Sequence, residues 1–114
     1  MCAEAALNSV FSALGDPTRR RIVERLARGR LSISEVGDGI AMSQPAISKH
    51  VRVLEQSGLV RRNVEGRVHH LELAPQAMDA ATSWIQTQRR FWSTAFDRLE
   101  AYLAASPQKE RKKR

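Results

Sequence analysis

Cysteine is almost missing from this 114-residue chain: Cys2 stands alone, so no internal disulfide can form, and a reducing compartment is expected. Aromatic residues make up only 5% of the sequence, and no run approaches the ~20 apolar residues that cross a bilayer. The opening Met1-Cys2-Ala3-Glu4-Ala5-Ala6-Leu7 lacks the basic region and apolar stretch of a secretory signal. A cytoplasmic location without membrane association is therefore expected. Glycine-rich phosphate loops and a His-Glu-x-x-His pair are also missing, and His50, His69 and His70 form no catalytic spacing with Cys2. No enzymatic activity, no cofactor and no metal site are expected. A chain of this length fills one core, and a deep pocket would be available only between subunits.

What is present in excess is positive charge. Lys and Arg number 19 against 12 Asp and Glu, a net +7. Lys109, Arg111, Lys112, Lys113 and Arg114, offset by Glu110, supply +4 of that, leaving +3 for all other residues. Total charge thus hints at a polyanionic partner without identifying one; position must decide. Residues 1–105 are expected to form one domain, and 106–114 a disordered basic tail that adds at most nonspecific phosphate attraction.

Apolar periodicity organises the rest. Leu7, Val10, Phe11 and Leu14 mark a first amphipathic helix. Asp16-Pro17 starts a second, running to about Ala27 with Ile22, Val23 and Leu26 inward, because Asp caps well and Pro suits the first helical position. Leu31-Ser32-Ile33 reads as a short strand, and Ser32 with Glu35 has capping-box spacing for a short third helix over 34–40, weakened by Gly37 and Gly39. Ser43 caps a further helix, with Ile47, Val51 and Leu54 inward and Ser57-Gly58 as its stop. Strands over 60–64 and 67–73 flank Glu65-Gly66, where glycine supplies the positive φ of a tight hairpin. Val64, Val68, Leu71 and Leu73 are the apolar positions of that hairpin. From Pro75 to about Ala104 the helical period returns, on a stripe including Met78, Ala81, Ile85, Trp92, Ala95, Phe96, Leu99, Tyr102 and Leu103. Such a helix would extend roughly 45 Å, more than a small monomeric core can cover.

This order, α-α-β-α-α-β-β-α, is a mainly α fold with a small β-hairpin: a winged helix-turn-helix. The helix over 43–57 leaves Gln44, Ser48, Lys49 and Arg52 on its outer face, with Ala46 and His50 flanking. Gln pairs bidentately with an adenine edge, Lys donates to guanine or phosphate, and Ser serves either. Ser43 and Gln44 stand at a helix N-terminus, where amides and dipole favour phosphate. His50 has a competing reading as a local packing or capping group. Arg67 at the wing tip is a minor-groove or phosphate contact, or else a solvated hairpin charge, and Arg61 and Arg62 invite the same two readings. Arg19, Arg20 and Arg21 begin a helix where the dipole disfavours cations; a phosphate, or an acidic neighbour such as Glu24, would compensate.

Residues 14–73 resemble the ArsR (SmtB-like) family of bacterial winged-helix repressors. The resemblance is carried by Leu14-Gly15-Asp16-Pro17-Thr18-Arg19-Arg20-Arg21-Ile22, Ser43-Gln44-Pro45-Ala46-Ile47-Ser48-Lys49-His50, Leu54-Glu55-Gln56-Ser57-Gly58-Leu59-Val60 and Glu65-Gly66-Arg67. With the flanking helices it covers about 7–104. It implies a homodimer built from the first and last helices, with Leu7, Val10, Phe11, Ile85, Trp92, Phe96, Leu99 and Tyr102 at the interface. It also implies binding of double-stranded DNA at an imperfect palindrome to block transcription, often of the protein's own operon.

Many relatives of that family release DNA on binding metal. The resemblance would place paired cysteines at Ser34-Glu35-Val36-Gly37-Asp38, where there are none, or Asp and His pairs along the last helix, where Asp79 is followed by no histidine. His69 and His70, adjacent in a strand, point to opposite faces and cannot chelate together. A non-metal-sensing member is therefore expected. The identity of any small-molecule effector stays open, with Trp84, Phe91, Trp92, Phe96 and Tyr102 read as dimer core before ligand pocket. Cys2 reads as a thiol without function before an intermolecular redox sensor. A rival from another class is a winged-helix module that binds protein or RNA; the polar, basic outer face of helix 43–57 weighs against protein docking.

Overall fold

The computed structural model describes residues 3–105; Cys2 and the basic tail lie outside them. The elements are α1 (Ala3–Leu14), α2 (Pro17–Leu26), β1 (Leu31–Ser32), α3 (Gln44–Gln56), β2 (Val60–Glu65), β3 (Val68–Leu73) and α4 (Pro75–Ala105). The sheet is antiparallel in the order β1-β3-β2. This is a mainly helical winged helix-turn-helix with a three-stranded sheet. Backbone proximity groups the chain into two units, Met1–Ala81 and Thr82–Arg114, so α4 begins in the first and forms the described part of the second.

Within the first unit the local signals act as their chemistry dictates. Asp16 caps α2 by accepting from the Arg19 N–H at 3.0 Å, with Pro17 at the first helical position. Arg19 and Arg20 are cations at the wrong end of α2, but their head groups serve α1. Arg19 Nε donates to Ala13 O at 2.7 Å and its Nη2 to Ser12 O at 3.2 Å, while Arg20 Nη1 donates to Leu14 O at 2.8 Å. The last carbonyls of a helix and its negative dipole end welcome such cations. Neither phosphate nor Glu24 is needed to account for these two charges.

The expected helix over 34–40 is replaced by consecutive turns. Its capping box does form, with Ser32 N donating to Glu35 Oε1 at 2.9 Å and Glu35 N to Ser32 Oγ at 3.2 Å. Beyond it the bonds close four-residue turns (Asp38 N to Glu35 O, Ile40 N to Gly37 O), and Gly39 sits at φ +80°, outside any right-handed helix. Gly37 explains the tightness of the segment. A Cβ built on it would lie 2.9 Å from Ile47 Cγ1, so the missing side chain lets the turns press directly on α3.

Ser43 caps α3 by accepting from the Ala46 N–H at 3.3 Å, and Leu59 N closes the far end onto Leu54 O. Val60 pairs with Leu73 and Glu65 with Val68, leaving Gly66-Arg67 as a two-residue turn with Gly66 at φ +64°. Arg67 thus belongs to the turn, one residue outside the strand expected for it. Ile22, Ile47, Val51, Leu54, Leu59 and Leu71 are at most 1% exposed and form the centre of the core, each contributing roughly 1.5–3 kcal/mol by burial. Val64 and Val68, read as apolar strand positions, are exposed near the wing tip.

Val10, expected at a subunit interface, is instead 2% exposed inside this core and has no surface left to offer. Leu7 packs partly buried against the same core, and Phe11 keeps 36% of its surface. In the second unit, α4 exposes Ile85, Trp92, Phe96, Leu99 and Tyr102, with the Trp92 and Phe96 rings 6.0 Å apart and tilted. No helix of the described residues is long and apolar enough to cross a membrane.

Candidate nucleic-acid interface

Seating α3 by Ile47, Val51 and Leu54 determines what it can show. At 100° per residue, the sector opposite that apolar row holds Pro45, Lys49, Arg52 and Gln56, all exposed. Gln44 is exposed at the N-terminal end, and Ala46 and Ser48 are half-buried at the flanks. The first turn is sparing with donors: Pro45 has no N–H and Ala46 gives its own to Ser43 Oγ. That leaves the Gln44 amide for an anion, fewer donors than a helix start ordinarily offers. The Gln44 side chain donates from Nε2 to Ile33 O at 3.2 Å, so pairing with a base edge requires exchanging that bond.

His50 lies half-buried where α3 meets the start of α2. Its Nδ1 is 3.3 Å from Arg19 Nη1 and 3.8 Å from Asp16 Oδ2. The Asp16 carboxyl is held below its ordinary range, chiefly by the Arg19 backbone N–H, with the His50 and Arg19 charges adding to the effect.

Across α3, Arg62 is fastened and does not stand out as a wing charge. Its Nε and Nη2 clasp Glu55 Oε2 and Oε1 at 2.9 and 2.8 Å, and Nη1 lies 3.1 Å from His69 Nδ1. A bidentate guanidinium–carboxylate pair fixes orientation as well as distance, so β2 and β3 are tied to the end of α3. The sequence showed both charges but not their pairing; the available signal was their separation by seven residues across the Ser57-Gly58 stop. Arg61 and Arg67 remain exposed. Near the tip of the wing, Glu65 Oε1 is 3.4 Å from both Arg30 Nη2 and His70 Nε2. His69 and His70 therefore take different partners on opposite faces of β3.

The Glu55 carboxyl is held below its ordinary range, first by the Arg62 hydrogen bonds. A lowered folded value means the pair stabilises fully above the unfolded glutamate range near 4.5 and loses that contribution as pH falls through the folded value. Glu55→Gln is accordingly expected to cost about 1 kcal/mol near neutral pH. The gap to wild type should shrink on acidification. Thermal unfolding of both proteins at neutral and acid pH checks this; a gap independent of pH would show that the ion pair does not carry it.

Among the described residues, no group of three or more His, Cys, Asp or Glu stands together as a cation cage. The chemistry of the site is donation of hydrogen bonds and positive charge from a rigid helix and an adjoining hairpin.

Comparison with known proteins points the same way. A helix-turn-helix domain model matches residues 14–63. The HTH-type transcriptional regulator Rv2034 of Mycobacterium tuberculosis is 38% identical over 85 residues, covering 75% of this chain and 77% of that protein. The transcriptional repressor SdpR of Bacillus subtilis is 28% identical over 79 residues, covering 69% and 88%. A crystal structure of an ArsR family transcriptional regulator superposes with a TM-score of 0.75 at 35% identity, covering 81% of this chain and 95% of that one. With its winged helix-turn-helix and the polar, basic outer face of α3, this chain belongs to the ArsR family of DNA-binding transcriptional regulators, which are not enzymes.

Proposed function

We propose that this regulator is a cytoplasmic repressor that binds a palindromic operator, its own promoter included, as a homodimer. Two copies of α3 would enter successive major grooves about one helical turn apart, with the wings on flanking phosphates or minor grooves. The observation that carries this is the division of α3. Its apolar row is sealed in the core at 1% exposure or less, while Gln44, Lys49 and Arg52 on its outer side stand exposed, as does Arg67 in the hairpin turn. Ser43, Ala46, Ser48 and His50 complete the proposed contact set, of which Ser43 and His50 also hold the fold.

Repression is supported by the relative named as a repressor, and dimerisation by the exposed apolar row of α4. Metal is not the proposed signal: neither cysteines at 34–38 nor a histidine beyond His70 is present in the sequence.

The test is fluorescence anisotropy with a duplex from upstream of the gene and a scrambled duplex, across a salt series. Tight, selective, salt-weakened binding supports the proposal. Equal weak binding to both duplexes would return the choice to an RNA- or protein-binding module. Within this frame Gln44→Ala is expected to relax base preference, costing about 1–3 kcal/mol on the operator and little on random DNA. An equal loss on both duplexes would remove Gln44 from base reading.

A further inference from the structure

We propose that Arg19 is a positioning residue for the DNA-reading helix, latching α3 to the α1–α2 corner through the neutral form of His50, so that acid opens the latch. The proposal rests on the DNA-reading role given to α3 above.

The argument begins with donor and acceptor inventory. A guanidinium has only donors. With Arg19 Nη1 at 3.3 Å, His50 Nδ1 must therefore be an acceptor, which places the imidazole proton on Nε2. Arg19 is not a loose arm that could simply swing aside. Its Nε and Nη2 are held by the carbonyls of Ala13 and Ser12 at 2.7 and 3.2 Å, so one planar group joins the end of α1 to the side of α3. No buried side-chain nitrogen or oxygen among the described residues lacks a partner, and His50 is engaged through Nδ1, so its Nε2–H opens to solvent from α3.

A second proton changes the partner of Nδ1. Once protonated it can no longer accept from Arg19, and two cations face each other at contact distance. Asp16 Oδ2, at 3.8 Å just beyond hydrogen-bond reach, becomes the favoured acceptor. That carboxylate already accepts from the Arg19 N–H at 3.0 Å, so the movement must be shared between the cap of α2 and α3. The charged groups about His50 are thus Asp16, the cap of α2, and Arg19 within α2, with Lys49 adjoining on α3; from α1 the carbonyls of Ser12 and Ala13 hold Arg19. His69 is under a similar constraint on the other flank, facing Arg62 and Glu55, and has to be controlled for.

The sign distinguishes this latch from ordinary electrostatics. Adding a cation to a DNA-binding face should raise affinity for every duplex. Unlatching α3 should instead reduce selectivity while nonspecific binding holds or rises. Measured on the full chain from about pH 8 to about pH 5.5, the ratio of operator to scrambled affinity is expected to fall about tenfold. His50→Asn, which offers an oxygen near the Nδ1 position and cannot titrate there, should keep its ratio across the range. His69→Asn should behave as wild type. In DNA-free protein, imidazole nitrogen NMR should show the Nε2–H form of His50 at high pH. On its protonation the amide shifts of α3 residues remote from position 50 should move in wild type and much less in Arg19→Gln, while the amides next to position 50 move in both.

A ratio that is flat or rises in acid, a fall that survives in His50→Asn, or an Nδ1–H form at high pH each overturns the latch. If no duplex is bound selectively at any pH, the DNA-reading role fails, and the tautomer and amide shifts still decide whether Arg19 holds α3 through neutral His50.

Discussion

Trp92→Gln is expected to weaken dimerisation and operator binding together. Ile85, Trp92, Phe96, Leu99 and Leu103 fall within about 60° of one line along α4, and each is between 39% and 59% exposed. Phe91 and Tyr102 widen this apolar sector on one side. A sector of this size left in water is the mark of an interaction surface. In a symmetric pair each stripe residue acts twice. Truncating a buried tryptophan anchor costs about 2 kcal/mol or more, which at two positions raises the dimer dissociation constant by roughly 10³-fold. Operator affinity follows, because two reading helices on one body bind with an effective concentration that separate monomers lack, often a gain of about 10²–10⁴-fold. Analytical ultracentrifugation and anisotropy on the same preparation test the coupling. A Trp92→Gln protein still dimeric at nanomolar concentration would refute the interface; a monomer with undiminished operator affinity would refute the need for it.

Gly37→Ala is expected to destabilise the first unit by about 1–3 kcal/mol, although it adds one methyl group. The new Cβ would meet Ile47 Cγ1 at 2.9 Å, Cγ2 at 3.1 Å and Cδ1 at 3.2 Å. Ile47 is β-branched and 1% exposed, so it has little rotamer freedom with which to yield. Relief must come from moving the turn segment away from α3, and that shifts the segment leading into α3. Ile47→Val removes one of the three contacts and should recover part of the loss. Urea unfolding of both single variants and the double variant measures the coupling directly. Additive costs, or a Gly37→Ala protein as stable as wild type, would mean that the close approach is not what the glycine is for. On propensity alone the same substitution should have helped, since alanine is the better helix former; the sign of the result separates tertiary crowding from local preference.

Gly37 also shows where sequence reading stopped. Read along the chain, it is a weak residue in a short helix; in three dimensions there is no helix, and the glycine is the contact. Gln44 and Ser43 were legible as groups at a helix start, but the bond from Gln44 to Ile33 O was not, because it joins residues eleven apart through a turn whose path no local pattern specifies. Val10 carried the correct helical period and the wrong destination, since periodicity identifies an apolar face without saying which apolar surface will cover it.

By itself the sequence determined the elements whose causes are local. Asp16-Pro17 and Ser43 start helices by side-chain capping within three residues, the Ile47, Val51 and Leu54 row orients α3, and Gly66 turns the wing. It determined the polar, basic outer face of α3 as well, because burying one side of a helix fixes the other. Only the tertiary structure decided the partners of the long cations. Arg19 reaches the carbonyls of α1 and the imidazole of α3, and Arg62 clasps Glu55 instead of facing solvent. An arginine side chain spans several ångströms and satisfies its donors wherever oxygen or nitrogen acceptors arrive. Which acceptors arrive is set by how the helices pack, and that is a property of the assembled core.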